Sequence, residues 1–340
     1  FPQLIAGPIV LFREMDKQLL ATARGEGEGA NLLGAGLVIF ALGLFKKIVL
    51  ADSIGAYADV AFGRVDQLTF LEAWLGSIAY SLQLYFDFSG YSDMAVGLGL
   101  MFGFRLPVNF NTPFRATSMI DFWKRWHMTM TRFFMMYLYS PVALALTRVS
   151  MERDLRGAAE FALAVAVPIT FTFLMSGLWH GAAWTFICFG AVNAVGLLAN
   201  HAWKQARLPA LPGILGWLLT MATVVVSFVY FRAESLADAH HMLRLMVAPW
   251  EIILPNWLAG PADMLGIPWQ TLSFMNTGSY TLRLLAWIAL LLPLSLLLPN
   301  PAGKPDGLVP GWRLAAGTAV MLLLAIGLID RPQAFIYFQF

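Results

Sequence analysis

His180 has the position in this sequence that most favours chemistry. It lies in SGLWHGAAW at 176–184, between the apolar stretches FALAVAVPITFTFLM and TFICFGAVNAVGLLA. An ionisable side chain at the centre of a bilayer costs on the order of 2 kcal/mol or more, so its presence there indicates function. Gly177 and Gly181 allow the backbone to leave the helix or another group to approach. We expect a buried, neutral imidazole that accepts a proton from a hydroxyl as a general base. A structural histidine, hydrogen-bonded between helices, is the alternative.

A second histidine, His127, lies in FWKRWHMTM at 122–130. If residues 118–134 form one helix, the aromatic and methionine side chains share one side and the charged side chains share the other. The sequence therefore predicts an amphipathic helix in the membrane interface that begins at Ser118 with a capping box. His127 falls at the border of the two faces and faces the protein from the cytoplasmic edge. An ordinary interfacial histidine is the alternative.

A third group of polar residues interrupts the apolar stretch YFDFSGYSDMAVGLGLMFGF at 85–104: Asp87, Ser89, Ser92 and Asp93. These side chains either line a polar cavity that orients a histidine or substrate, or tie helix ends together, as Asp and Ser do at caps. The capping interpretation suits Ser89 and Ser92 better, whereas Asp87 suits both.

Two possible nucleophiles and a metal site are weaker candidates than these groups. Ser176 lies four residues before His180, but no acid completes a triad. Cys188 in an apolar helix is more often a small hydrophobe than a nucleophile. As the single cysteine, it forms no intramolecular disulfide and no CxxC site. The five histidines match no metal-ligand spacing, and we expect no metal.

The composition defines the elements that must position these residues. The chain is 59% hydrophobic and 12% charged, against about 25% charged in soluble proteins. It is thus predicted to be an all-α polytopic membrane protein, because its apolar runs are long and lack the alternation of a barrel. The net charge of +2 does not indicate a nucleic-acid partner. About eight or nine spans are expected, with 94–104 as a broken or re-entrant piece and the others at about 31–50, 68–87, 131–147, 159–177, 182–200, 212–231, 280–298 and 312–329.

The chain is interpreted as one transmembrane domain over 1–340. Because it starts at Phe1 inside an apolar run, we expect that an N-terminal part is missing. The segments expected outside the membrane are 22–31, 147–157 and 231–250, the last with a helix that begins after Ser235. Basic residues outnumber acids over 105–132, which places that segment in the cytoplasm.

The joint order of the motifs carries a family resemblance. The motifs FWKRWHMTM and SGLWHG follow FPQLIAGPI and LQLYFDFSGYSDMAVGLGLMFGFRLPVNFNTPF, and they precede VYFRAESLADA and FIYFQF. This order resembles the membrane-bound O-acyltransferase family over nearly the whole chain, and most closely the bacterial branch of the alginate O-acetylation membrane subunit. Two places depart from that branch. MMYLYSPVALALTRV stands where close relatives carry a polar segment, and Asn193 stands near a further histidine of some relatives.

The resemblance implies a ring of membrane helices, with re-entrant or interfacial helices, around a central tunnel. A thioester such as acetyl-CoA is offered from the cytoplasm, and no permanently bound cofactor is implied. The acceptor is a hydroxyl of an extracytoplasmic polysaccharide, such as an exopolysaccharide or cell-wall polymer, or a periplasmic partner. His180 matches the family's key histidine and His127 its second. The resemblance also implies a bacterial inner-membrane location.

The remaining expected site residues surround these two histidines. Asp87 supports the polar wall, Trp126 and Trp179 contact substrate beside each histidine, and three basic residues attract the donor's phosphates: Arg115, Lys124 and Arg125. Two other classes of function stay open. A secondary transporter of acyl or lipid-linked sugar units would suit glycine-interrupted helices with buried Asp and His, although the sequence shows no internal repeat. A membrane scaffold of a polysaccharide secretion complex would tolerate the loss of His180.

Overall fold

The structure is a computed structural model that describes residues 7–24, 32–247, 253–254, 259–265, 270–271, 278–308 and 311–329. These residues are predominantly helical, as the sequence predicts. The α-helices are α1 Phe12–Ala23, α2 Leu33–Phe45, α3 Asp52–Phe62, α4 Phe70–Met101, α5 Met119–Trp123, α6 Met128–Phe134, α7 Ser140–Glu152, α8 Ala158–Phe161, α9 Val167–His180, α10 Trp184–Gln205, α11 Gly213–Arg232, α12 Leu236–Val247, α13 Ala259–Met264, α14 Gly278–Leu297 and α15 Trp312–Gly327.

Wider and tighter helical turns join several of these helices. Three π-helical segments, Lys46–Ala51, Met135–Tyr139 and Ala162–Ala166, continue α2, α6 and α8 without a break into the next helix. Short 3₁₀ turns are formed by Val65–Gln67, Pro113–Arg115, Pro301–Gly303 and Pro305–Gly307. The extended structure described is one parallel pairing of β1 Ile253–Leu254 with β2 Gln270–Thr271.

Six helical stretches of the described residues are long and apolar enough to cross a membrane, so the chain is a multi-pass membrane protein. They are Leu33–Phe62, Met128–Glu152, Ala158–His180, Trp184–Gln205, Gly213–Arg232 and Tyr280–Gly303. Each coincides with a predicted span. Among the described residues, the predicted total of eight or nine is not confirmed. Helix α15, at one of the predicted spans, is apolar but has only 16 residues.

The segments 68–87 and 94–104 differ most from the prediction. They were expected to be a span and a broken or re-entrant piece. Instead, α4 runs through both as one helix of 32 residues. Its polar residues reduce the apolar character of the stretch without interrupting the helix, because their side chains find partners inside the protein. Helix α4 is not among the six candidate spans.

The prediction of one continuous amphipathic helix over 118–134 is wrong. The expected cap is present: Ser118 Oγ accepts a hydrogen bond from the Asp121 amide at 3.1 Å. However, α5 ends at Trp123, and α6 begins at Met128. His127 lies between them with φ 43° and ψ 52°, in the left-handed region. The histidine therefore occupies a break in the backbone rather than the border of a helix face.

The contacts divide the chain into two compact units. The first unit consists of Phe1–Asp52, Leu84–Pro168 and Ser295–Phe340, and the second of Ser53–Gln83 and Ile169–Leu294. Within the first, α2 lies against α4 at backbone distance, since a Cβ on Gly43 would come within 2.5 Å of the Gly90 carbonyl oxygen. A buried apolar cluster follows from this approach: Leu32, Ile39, Val96, Leu100, Leu106 and Ala302.

The second unit is built on three consecutive helices, α9, α10 and α11. Helices α9 and α10 approach at two glycines. A Cβ on Gly177 would meet the Phe186 carbonyl oxygen at 2.2 Å, and one on Gly190 would meet the Phe173 oxygen at 2.3 Å. The predicted helix after Ser235 is confirmed as α12, whose Asp238 amide donates to Ser235 Oγ at 3.1 Å. Two of the segments expected outside the membrane are described only in part. Residues 248–250 of 231–250 and residues 25–31 of 22–31 lie outside the described residues.

Candidate active site

His180 is the last residue of α9, and it is 8% exposed. The chain then leaves the helix at Gly181 and enters α10 at Trp184. This local break agrees with the prediction from the flanking glycines. Gly181 lies directly against the Phe186 ring, where a Cβ would approach to 2.5 Å. Gly181 is therefore packed tightly although the two residues after it are exposed, and the imidazole is buried within the second unit.

Aromatic rings surround the His180 imidazole. The ring centroids of Trp179 and Phe231 lie 5.0 Å from that of His180. Those of Phe189 and Phe186 lie 5.7 and 6.3 Å away. Such rings exclude water and disfavour a charged imidazole, which keeps a proton-accepting nitrogen available. Trp179 itself is 54% exposed, so one face of this aromatic group is open at the surface of the unit.

Two buried polar atoms belong to the same helix pair as His180. Ser176 Oγ, one turn before His180, finds no hydrogen-bond partner among the described residues. Asn193 donates from Nδ2 to the Phe189 carbonyl at 2.8 Å, while its Oδ1 is buried and finds no partner in that same part of the chain. Helices α9 and α10 thus carry buried hydrogen-bonding atoms in addition to those of His180.

His127 has a polar environment. Its Nδ1 lies 3.0 Å from Asn109 Oδ1, and Asn109 is 1% exposed. The same oxygen accepts hydrogen bonds from the Thr129 amide at 3.2 Å and from the Thr129 hydroxyl at 2.8 Å. The Phe88 ring lies perpendicular to the imidazole, with 4.7 Å between ring centroids. His127 is therefore held on one side by hydrogen bonds and on another by an aromatic ring.

The backbone around His127 is tied to the preceding loop. The Met128 amide donates to the Asn109 carbonyl, and the Asn111 amide donates to the Arg125 carbonyl, both at 2.9 Å. A left-handed conformation is uncommon outside glycine and persists where surrounding contacts enforce it. These two bonds provide that enforcement, because they fix the chain on either side of the strained residue.

Trp126, expected to contact substrate, is 5% exposed. Its ring lies within an aromatic group whose centroids are 5.1–6.5 Å away: Phe110, Phe122, Phe114 and Tyr85. The structure therefore gives Trp126 a packing role beside His127, while Trp179 is the more exposed of the two predicted tryptophans.

Asp87 forms part of a buried set of charges on α4. Lys47 Nζ lies 2.8 Å from Asp87 Oδ1 and 2.6 Å from Asp52 Oδ1. One residue earlier, Lys46 Nζ lies 2.6 Å from Asp93 Oδ2. The direct contact of Asp87 is thus an ion pair in the interior of α4 rather than a cap at a helix end, and its role in a polar cavity stays a prediction. Ser92 likewise has a structural partner, because its Oγ accepts from Asn109 Nδ2 at 3.2 Å.

The three predicted phosphate-attracting residues lie on the segment that leads to His127. Arg115 ends a 3₁₀ turn, and both Arg115 and Lys124 are exposed. Arg125 is half-buried and pairs with Asp121, with 2.8 Å between Nε and Oδ1. The first unit thus brings together His127, Trp126, Asp87 and the basic residues, whereas His180 and Trp179 belong to the second unit.

Sequence reasoning missed three residues: Lys46, Lys47 and Asn109. The two lysines stand inside a predicted span, and charges there are expensive unless paired. That cost was a usable signal, because two lysines in a span require two acids elsewhere, and Asp87 and Asp93 were already noted. Asn109 gave no comparable signal, since an asparagine in a proline-containing loop is ordinary.

Comparison with known proteins identifies the family of this chain. The chain belongs to the membrane-bound O-acyltransferase family, whose sequence model matches residues 1–237. It is 36% identical over its whole length to a peptidoglycan O-acetyltransferase of Helicobacter pylori, covering 63% of that protein. It is 33% identical, again over its whole length, to the probable alginate O-acetylase AlgI of Azotobacter vinelandii, covering 68%. A teichoic acid D-alanyltransferase of Streptococcus thermophilus is 27% identical over 68% of the chain, which covers 59% of that protein. The chain thus spans about two thirds or less of these relatives.

Proposed function

We propose that this chain is the catalytic membrane part of an O-acyltransferase. It transfers acetyl from a thioester of the acetyl-CoA class to hydroxyls of a polysaccharide outside the bacterial inner membrane, directly or through a periplasmic partner. The family and the activities of the named relatives support the reaction class. The observation that carries the proposal is the burial of His180 among aromatic rings at the end of α9, within SGLWHG.

The proposed reaction uses His180 as a general base. Its neutral imidazole accepts the proton of the attacking hydroxyl while the oxygen bonds to the thioester carbonyl carbon. The tetrahedral intermediate then collapses, the carbon–sulfur bond breaks, and the proton held by the imidazole neutralises the leaving thiolate. The products are an ester and a free thiol, so no oxidant, reductant or metal is required. Aromatic packing supports this role because it keeps the imidazole uncharged before the hydroxyl arrives.

His127 is proposed to bind and orient the thioester donor. Its support is geometric: a buried imidazole on a strained backbone residue, held by a hydrogen bond between its Nδ1 and Asn109. The buried charges around Asp87 stabilise the helix that carries Phe88, which contacts the imidazole. Proper orientation of a bound reactant can supply several kcal/mol of the barrier reduction.

Arg115 and Lys124 are proposed to attract the phosphates of the donor. Both are exposed cations on the segment that precedes His127. Reversing both charges, Arg115→Glu with Lys124→Glu, is expected to raise the donor KM. The increase over wild type should be largest at low salt, because salt screens an electrostatic attraction. Unchanged donor affinity in that double variant would remove these residues from the site.

The decisive experiment measures polymer-bound O-acetyl in a deletion strain complemented with the full-length protein. The comparison is wild type against His180→Ala, with membrane levels matched by immunoblot. His240→Ala is the control, because His240 is an exposed histidine on α12 of the same unit. We expect acetylation to be abolished in His180→Ala and retained in His240→Ala.

Persistence of acetylation in His180→Ala would reject the catalytic role and favour the transporter or scaffold interpretation. The donor is tested separately, by supplying labelled acetyl-CoA to the cytoplasmic face of inverted membrane vesicles. Label in the polymer supports acetyl-CoA as the donor. If the polymer is labelled only from another thioester, that thioester is the donor instead.

A further inference from the structure

Asn109 is the centre of the hydrogen bonds that surround His127. Its side-chain oxygen faces three donors, namely the His127 ring and both the amide and the hydroxyl of Thr129. Its side-chain nitrogen donates to Ser92 Oγ at 3.2 Å. The Thr129 hydroxyl in turn accepts from the Ile9 amide at 3.0 Å, which leaves its own proton directed at Asn109. All polar atoms of the Asn109 side chain are thereby engaged.

The orientation of the Asn109 amide follows from a backbone group. An asparagine oxygen and nitrogen are exchanged by a half-turn of the amide, so the assignment must come from the partners. The Thr129 backbone N–H can only donate, and it points at the atom that also contacts His127. That atom is therefore the oxygen, an acceptor. The His127 nitrogen that faces it must carry a proton.

We propose that Asn109 is a positioning residue that holds neutral His127 as the Nδ1–H tautomer, so that Nε2 presents a lone pair. A neutral imidazole has one donor and one acceptor nitrogen, and the partner of one nitrogen decides the state of the other. Free imidazole side chains favour the opposite tautomer, with the proton on Nε2. Asn109 thus reverses the intrinsic preference of the ring at this position.

The backbone supports the same assignment. The Met128 amide donates to the Asn109 carbonyl at 2.9 Å, so one residue fixes both the ring of His127 and the chain that follows it. Because His127 is in the left-handed region, its side chain leaves the backbone in a direction that a helical residue would not have. The perpendicular Phe88 ring then limits rotation of the imidazole.

The proposal narrows the chemistry that His127 can perform, and in this it rests on the proposed function. A neutral Nε2 with a lone pair accepts a hydrogen bond or a proton. It does not donate to a thioester carbonyl oxygen or to the oxyanion that forms from it. A substrate group that hydrogen-bonds to Nε2 would therefore be an N–H or O–H group, such as an amide of the arm that carries the thioester.

The test reads the tautomer directly, with ¹⁵N-histidine-labelled full-length protein in lipid nanodiscs. The signals of His127 are assigned by their loss in His127→Gln, and ¹⁵N chemical shifts distinguish a protonated from an unprotonated ring nitrogen. We expect wild type to show protonated Nδ1 and unprotonated Nε2. A wild-type spectrum with the proton on Nε2 overturns the proposal, whatever the variants do.

Three variants separate positioning from mere stability. Asn109→Leu removes the acceptor at similar size and should move the proton to Nε2, with transfer reduced about 10- to 100-fold, the cost of a misplaced group. Asn109→Asp keeps an acceptor and should keep the proton on Nδ1. Asn111→Leu is the matched control, since Asn111 lies in the same loop with an exposed side chain. An unchanged tautomer in Asn109→Leu contradicts the proposal.

The readouts also separate this proposal from the proposed function. Suppose that the His127 tautomer changes in Asn109→Leu but His127→Gln transfers acetyl normally. The positioning role of Asn109 is then supported, and the donor-binding role of His127 is rejected. If His127→Gln loses transfer while the tautomer ignores Asn109, the donor-binding role stands and Asn109 has no part in it.

Discussion

His127 and His180 are held in different ways, and the difference separates their chemistry. His127 is fixed by a hydrogen bond from its Nδ1 to Asn109 and by backbone bonds on a strained residue. His180 ends a regular helix and is enclosed by aromatic rings. Hydrogen bonds select a tautomer and a direction, whereas apolar rings select the uncharged form. A polar environment thus suits a group that orients, and an aromatic one suits a group that must receive a proton.

Replacing each histidine with glutamine should break this comparison most clearly. Glutamine forms hydrogen bonds but cannot take a proton at neutral pH. We expect His180→Gln to lower kcat about 10²- to 10⁴-fold, the usual contribution of a general base. His127→Gln should act mainly on the donor KM, because an orienting contact is partly replaced. Steady-state kinetics of the full-length variants in proteoliposomes measures both effects. Equal losses of kcat in the two variants would show that the two histidines do not have different roles.

The buried ion pairs of the first unit sharpen the polar side of the comparison. Lys46→Met leaves Asp93 without its cation in a site where both side chains are buried. We expect about 3–5 kcal/mol of destabilisation, visible as a lower melting temperature in detergent. The double variant Lys46→Met with Asp93→Leu should recover much of the loss, because no charge is then left unpaired.

A surface pair provides the control for that measurement. Arg156 and Asp154 are 3.0 Å apart, but their side chains are more than three quarters exposed. Arg156→Met should therefore change the melting temperature little, as is usual for exposed pairs. A loss as large as that of Lys46→Met would mean that burial does not explain the effect.

Packing near His180 sharpens the aromatic side. Gly177→Ala puts a Cβ where the Phe186 carbonyl oxygen lies 2.2 Å away, so α9 and α10 must separate. Overpacking of this kind costs about 1–3 kcal/mol. We expect acetyl transfer to fall as well, because the ring of Phe186 also lies beside the His180 imidazole. Gly213→Ala is the matched control, since no atom of the described residues lies within 4 Å of a Cβ there. Normal activity of Gly177→Ala at normal protein level would show that His180 does not depend on this approach.

The smallest effect is expected at the pair between Glu14 and Arg132. Burial raises the pKa of Glu14, but the hydrogen bonds from Arg132 and the Leu11 amide outweigh it and hold that pKa below its ordinary value of 4.5. The pair therefore stabilises the fold above about pH 4.5, and its contribution is lost as the pH falls through the lower folded-state pKa.

Both side chains are about one third exposed, so the effect should be about 0.2–1 kcal/mol. Melting temperatures of wild type and Glu14→Gln, measured from pH 6 downward, should differ above that window and converge within it. A constant difference at all pH values would contradict this account.

The sequence predicted the spanning helices well, because long apolar runs between charged segments leave few alternatives. The helix starts at Ser118 and Ser235 were also predictable, since each depends on a side chain and an amide three residues away. The break at His127 was not. It depends on hydrogen bonds to Asn109, eighteen residues earlier, and local periodicity contains no information about such a partner.

The continuity of α4 illustrates the same limit. Asp87, Ser92 and Asp93 indicated an interruption, because polar residues are costly in an apolar run. The cost is met by Lys47, Asn109 and Lys46, which come from other segments. Both histidines and Asp87 were identified from sequence, but the partner that decides the behaviour of each could be found only from the fold.

The π-helical segment Lys46–Ala51 has a consequence for how this chain can change in length. In an α-helix, consecutive residues point about 100° apart, yet Lys46 and Lys47 both reach acids on α4. The wider turn, with hydrogen bonds to the fifth residue, brings the two lysines closer in direction. Deleting one residue there would restore an ordinary α-helix, in which the directions of Lys46 and Lys47 diverge to about 100°. Deletions should therefore be excluded from this segment, because one of the two lysines would then lose its acid on α4.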